Sequence, residues 1–262
     1  MDDFDGVVRF LSSDVDWDSS EDDGVVWRVG DFLREKLARH PGLVQERFAT
    51  IARSPKLMDE LVPHSEFPHR RRDKFVLYRD PQERFVVRVH RFHPCGAEKA
   101  EFGPVHNHRY PAVTLLLKGS YEERVFSETS RDEKMGTAEL TQVKAHSLAR
   151  GDVDVKGWDQ AHQVRNAADE EAAFTLFVRG PSIRRFADIY DIEQGTFSPA
   201  GGMHDLARVG FIATMLGSSS IRSRHEAMRF MGSADEWSAR EAGMLDAATQ
   251  GRFDLPKAGA TD

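Results

Sequence analysis

Apolar positions fall into three regimes along the chain. Up to about residue 70 they recur at helical spacing: Val29, Phe32, Leu33 and Leu37 form one stripe, and Val44, Phe48, Ile51 and Ala52 another. Pro41-Gly42 and Pro55 punctuate this region, so two or three short helices are predicted. Between about 71 and 182 the runs shorten and turn β-like, at residues 74–78, 84–89, 112–117, 121–126, 138–143 and 173–178. Gly, Pro and Asp separate them at short intervals, which predicts a sandwich or barrel rather than alternating β and α units. From 183 onward helical spacing returns, with Ile212, Met215 and Leu216 and then Met228, Phe230 and Met231. Gly201-Gly202 and Ser218-Ser219-Ser220 read as loops there, and the tail from Pro256 as frayed. The expected organisation is a mainly β domain at 71–182, with an N-terminal helical extension at 1–70 and a C-terminal one at 183–262.

Charge and cysteine content narrow the function classes. A net charge of -7 weighs against nucleic acid as the main partner, because phosphate binding wants a basic face. The run His69-Arg70-Arg71-Arg72 reads as a solvated turn. A single cysteine, Cys95, rules out an intrachain disulfide and a zinc site built from several thiolates. No stretch reaches the roughly 18 apolar residues that span a bilayer, so no membrane partner is expected. The acidic start Met1-Asp2-Asp3-Phe4-Asp5 lacks the basic opening of a secretory signal, and a cytoplasmic location is the expectation.

The chemistry-bearing segment is Gly103-Pro104-Val105-His106-Asn107-His108-Arg109-Tyr110-Pro111. Two histidines at i and i+2 on a strand project to one face, so their imidazoles can converge on one ion. Imidazole suits iron, copper, nickel and zinc. A His-x-His pair is also common by chance, and this chain has 11 histidines. A third, His162, follows Gly151-Asp152 and could complete a facial triad, leaving open positions at the metal for substrate and O2.

These segments carry a resemblance. His106-x-His108, three residues, Ala112, six residues and Gly119 have the spacing of the first cupin motif. Gly151, ten residues, His162, three residues and Asn166 have the spacing of the second. The resemblance implies a small cupin-type (jelly-roll) β-barrel whose neighbouring strands bring His106, His108 and His162 to a metal. It covers roughly 110 of the 262 residues. Ala112 stands where cupins often place a ligating glutamate, so the implied site is three histidines without a carboxylate. The second motif lacks its usual internal Pro and Gly, with Gly157 and Asp159 in its span, and the opening glycine of the first is displaced. A three-histidine cupin resembles the cysteine dioxygenase group of thiol dioxygenases, which implies iron(II), Fe(II), as the metal. Arg79, in Tyr78-Arg79, resembles that group's substrate-carboxylate arginine in order and spacing. The group's Ser-x-His-x-Tyr pattern is replaced by Thr175-x-Phe177-x-Arg179, and neither the tyrosine nor its cysteine partner is present.

Beyond the metal ligands, three residues are candidates. Arg179 alternates with Phe177 and Thr175 on one strand face, and with Arg79 it could clamp a carboxylate in a bidentate fork. A salt bridge at the barrel rim is the competing reading. Tyr110 either donates a hydrogen bond to bound oxygen or simply packs. His90 and His93 read as barrel or supporting residues, and Asn166 as a structural bond to backbone near the third ligand. The expected activity is O2-dependent oxidation of a small carboxylate or amino-acid-like substrate by iron(II) or another divalent transition metal. The alternatives are metal-assisted isomerisation, decarboxylation or lyase chemistry without O2, or a cupin that binds a small ligand without turning it over. The helical regions either close a barrel mouth or form a homodimer contact.

Overall fold

The computed structural model of the protein describes residues 3–20, 23–67, 72–94, 102–168 and 171–200. Among the described residues four α-helices come first: α1 (Asp3–Arg9), α2 (Asp23–Arg39), α3 (Leu43–Arg53) and α4 (Pro55–Leu61). Pro55 opens α4 at a position where its missing N–H costs nothing, and Ser54 caps that helix by accepting from Leu57 N. The predicted stripe of α2 is buried at Val26, Val29, Gly30 and Leu33. On α3 the stripe ends at Ile51, since Ala52 is exposed. Arg47 shares the buried face of α3; its guanidinium donates to the carbonyl of Leu77 at 3.0–3.1 Å and lies over the Phe4 ring. That satisfied cation explains a charge inside an apolar interface.

Eleven strands follow among the described residues: β1 (Arg72–Arg79), β2 (Val86–Phe92), β3 (Val105–His106), β4 (Ala112–Lys118), β5 (Ser120–Asp132), β6 (Thr137–Ala149), β7 (Val153–Lys156), β8 (Ala161–Asn166), β9 (Ala173–Arg179), β10 (Ala187–Asp191) and β11 (Thr196–Ala200). The chain divides into two compact units, residues 1–127 with 141–185 and residues 128–140 with 186–262.

In the first unit one antiparallel sheet runs β1-β2-β9-β4-β7, and a second runs β3-β8-β5-β6. From β2 to β9 successive strands alternate between the sheets, apart from the β5–β6 hairpin. That is the double Greek-key order of a jelly roll, so the fold is mainly β and of the cupin type. Gly119 and Gly151, which end one motif and open the other, both take positive φ, +75° and +92°. No helix among the described residues is long and apolar enough to cross a membrane.

Strand alternation divides the first sheet into two unlike faces. Leu77, Val87, Val89, Val113, Leu115, Leu176 and Val178 point outward and are sealed by Phe4, Val7, Val29, Leu33 and Leu43 of the helices, all in one buried cluster. The inner face holds Lys74, Arg88, His90, Thr114, Thr175, Phe177 and Arg179. One end of the barrel is plugged by Phe92, Leu116, Tyr121, Leu148 and Ala173. The main apolar core therefore lies outside the barrel, and the interior is left for polar chemistry.

The close fit of α2 to the sheet yields a stability prediction. A Cβ on Gly30 would meet Cγ1 of Val153 at 2.5 Å. Gly30→Ala gains about 1 kcal/mol of helix propensity, but overpacking a full core costs about 1–3 kcal/mol. The β-branched Val153 has few rotamers into which to retreat. A net loss of up to about 2 kcal/mol is expected in urea denaturation.

In the second unit β10 and β11 form a hairpin with Tyr190 opposite Phe197, and Thr196 of β11 pairs with Thr137 of β6. Arg131 lies over the Phe197 ring at 3.7 Å and bridges Glu128 and Asp188. The expectation of a helical region from 183 is replaced over residues 187–200 by this hairpin. Its burial has a period of two: Asp188 and Tyr190 are buried while Ile189 is exposed. The helical positions expected at 212–231, the tail, Cys95 and residues 69–71 lie outside the described residues.

Candidate metal centre

Three histidines from two distant segments meet at the end of the barrel away from the Phe92–Tyr121 plug. β3 pairs with β8 so that His106 faces His162 directly. β3 is only two residues long, so His108 lies beyond its end, in a loop rather than on a strand. That loop is held from behind. Ile183 N donates to the Arg109 carbonyl at 2.8 Å, Arg184 Nε to the His108 carbonyl at 3.2 Å, and Gly180 N to the Pro111 carbonyl at 2.8 Å.

The ring centroids of His106 and His162 are 4.6 Å apart, those of His108 and His162 5.0 Å, and those of His106 and His108 5.3 Å. One nitrogen from each ring lies within 4.8 Å of the others. Nε2 of His162 and Nε2 of His108 are 3.0 Å apart. Two nitrogens bound at right angles to one ion, each at about 2.1 Å, would stand about 3 Å apart. The donor set and its spacing fit a transition metal.

Hydrogen bonding sets which nitrogen is free. His106 Nδ1 donates to the Pro104 carbonyl at 3.0 Å, and His162 Nδ1 donates to Glu123 Oε1. Both rings therefore carry their proton on Nδ1 and present an Nε2 lone pair. His108 Nδ1 is buried without a hydrogen-bond partner. Withdrawal from water lowers all three pKa values, His106 to about 4 and the other two well below the usual histidine range, with neighbouring cations adding to the effect. Neutral imidazoles are the ligating form.

Glu123, from β5, is the residue that sequence reasoning missed. Its side chain is fully buried, and besides His162 it meets the Lys156 ammonium at 2.9 Å and His146 Nε2 at 3.4 Å. Lys156 also contacts Asp154. Glu123, His146 and Asp154 form a second group with metal-ligand spacing. There the Lys156 ammonium already stands among the carboxylates, so that group holds its own cation. The signal for Glu123 lay in the strand read at 121–126: Tyr121, Glu123 and Val125 share one face, and Tyr121 and Val125 mark that face as buried.

The other candidates divide. Arg179 is buried on the inner face, with its guanidinium 5.2 Å from the Tyr110 ring centre and one bond to the Gly180 carbonyl. Burial lowers its pKa to about 10. Tyr110 packs edge-on to His108 at 5.4 Å. Burial opposes ionisation of its hydroxyl, but Arg88, Lys74, Arg179 and Arg72 together outweigh that, and its pKa is lowered. Arg79 ends β1 and gives its guanidinium to Glu83 and His64, which is the rim ion pair rather than a clamp beside Arg179. Ala112 is buried between Arg179 and Lys156 in the register of the sheet. Asn166 bonds the carbonyls of Phe92, His93 and Glu171, a structural role. His93 pairs with buried Asp73 at 3.1 Å, while His90 faces the interior.

No protein-family model matches the sequence, and no curated protein matches it. Solved structures that resemble it include the cupin domain of Cnp3 from Schizosaccharomyces pombe (14% identity, TM-score 0.31, 42% of this chain and 61% of that one). Hydroxypropylphosphonic acid epoxidase from S. wedmorenis is similar at 15% identity (TM-score 0.32, 42% and 51%). A cupin superfamily protein from Desulfitobacterium hafniense is similar at 12% identity (TM-score 0.30, 44% and 83%). The chain thus spans less than two thirds of the length of the first two.

Proposed function

We propose that His106, His108 and His162 bind one divalent transition metal, iron(II), and that the protein is an O2-using oxygenase of small carboxylate or amino-acid-like molecules. The observation that carries this reading is the convergence of three imidazoles, two with their free nitrogens fixed by hydrogen bonds to Pro104 and Glu123. Iron(II) held there would supply one-electron chemistry with O2 and leave coordination positions open. The chain's own residues supply the rest. Glu123 and the Pro104 carbonyl hold two rings in their ligating tautomer. Tyr110 brings a hydroxyl beside His108 whose proton is loosened by the surrounding cations. Arg179 offers a buried guanidinium to an anionic substrate group.

The test uses protein purified without a histidine tag. Elemental analysis should find iron at about one ion per chain after loading under reducing conditions. An oxygen electrode then screens amino acids and small carboxylates. Oxygen uptake matched to product formation, with no product under argon, is the expected result. Product formed without O2 would move the site to Lewis-acid chemistry and overturn the oxygenase reading.

A further inference from the structure

The inner face of β1, β2 and β9 carries more positive charge than the fold needs. In register across these strands, Lys74 stands opposite His90 and His90 opposite Thr175; one step further from the Phe92 plug Arg88 stands opposite Phe177, and beyond it Val86 opposite Arg179. Lys74 has a partner in Glu66 at 2.7 Å. Arg88 also lies in the field of the Glu66 carboxylate, but among the described residues no carboxylate makes a direct ion pair with it, and the single hydrogen bond of Arg179 goes to a neutral carbonyl. Arg72 adds its field to the same region and, with Lys74 and Arg88, holds the pKa of His90, already depressed by burial, well below the usual range.

Three polar atoms of this wall are buried without a hydrogen-bond partner: Arg88 Nε, His90 Nε2 and Thr175 Oγ1. His90 and Thr175 are almost fully buried. Buried donors are seldom left unmet, and a guanidinium shut away from water wants an anion. The wall also adjoins the histidines: the Phe177 ring lies 4.5 Å from His90 on one side and 6.1 Å from His108 on the other.

We propose that this wall is a binding site for a small molecule carrying two negative charges on oxygen, a dicarboxylate or a phosphonate, with Arg88 and Arg179 as its counter-charges and His90 and Thr175 as hydrogen-bonding partners. The proposal rests on the oxygenase reading for what happens to that molecule and deepens it by naming the class of substrate. Two guanidinium groups without a directly ion-paired carboxylate among the described residues call for two charges rather than one. A monoanion such as acetate would leave one of them uncompensated.

The experiment is calorimetric titration of the full chain, iron-loaded and metal-free, with succinate, methylphosphonate and acetate at about 0.1 M ionic strength, which screens surface attraction. At least one dianion should bind at least about tenfold more tightly than acetate, the factor expected for a charge-assisted hydrogen bond lost. Which of the two binds separates the carboxylate from the phosphonate source. Arg88→Gln should erase most of that preference, and the milder Thr175→Val should weaken dianion binding several-fold while metal content is kept. Equal affinity for acetate and both dianions in the wild-type chain would overturn the proposal, whether or not the variants fold. So would a full dianion preference in a folded Arg88→Gln protein. Metal content read on the same samples separates the two ideas. Dianion preference without bound metal keeps this site and sinks the metal reading, whereas bound metal without dianion preference does the reverse.

Discussion

His162→Ala is expected to leave the protein folded and almost free of metal. His162 sits at the middle of the group: its Nε2 is 3.0 Å from that of His108, its ring faces His106 across the β3–β8 pair, and its Nδ1 is tied to Glu123. Losing a supporting partner of a metal ligand typically costs about 10- to 100-fold in affinity, and losing the ligand itself should exceed that. The fold should survive, because Glu123 keeps Lys156 as its partner and the imidazole is not part of the apolar cluster under the helices. A stability loss of about 1–3 kcal/mol from one buried hydrogen bond is the expectation. Elemental analysis beside urea denaturation separates the two effects. His146→Ala is the paired control: if metal disappears there and persists in His162→Ala, the ion belongs to the Glu123–His146–Asp154 group.

Much of this centre could be read from the chain because it depends on local spacing. The β-like runs at 74–78, 112–117, 121–126 and 173–178 all fall inside strands, and the stripes at 29–37 and 44–51 fall inside α2 and α3. A strand's two-residue period and a helix's 3.6-residue period are carried by neighbours in sequence. Even so, the pair His106-x-His108 converges for a different reason from the one its spacing suggests. His108 has left the strand, and the backbone of residues 180–184 holds its loop.

What could not be read is the partner of each polar group inside the barrel. Glu123 and His162 are 39 residues apart in sequence, and only the register of β5 against β8 makes them neighbours. Arg88 and Arg179 share a wall because β2 and β9, at opposite ends of the domain, pair directly. For the same reason Arg79 looked like a clamp for substrate: its order along the chain fits, but the turn after β1 brings Glu83 back to it. Order in sequence places a strand. Cross-strand pairing decides what its side chains meet.

Glu123 carries the second large effect, and there metal affinity and stability are coupled. Glu123→Gln keeps the shape and an acceptor for His162 Nδ1–H, but it removes the negative charge that steadies the imidazole and faces Lys156. Metal affinity should fall about 10- to 100-fold, read by competition with a chelator. Lys156 is nearly fully buried, and among the described residues Asp154 would remain its sole carboxylate contact. Removing one member of a buried ion pair costs about 3–5 kcal/mol, so Glu123→Leu, with no acceptor either, should lose at least that much in urea denaturation. The two positions should therefore rank in opposite orders: His162→Ala worse for metal, Glu123→Leu worse for stability. Wild-type metal affinity in a folded Glu123→Gln protein would show that the carboxylate serves Lys156 alone and has no part in setting the His162 ligand.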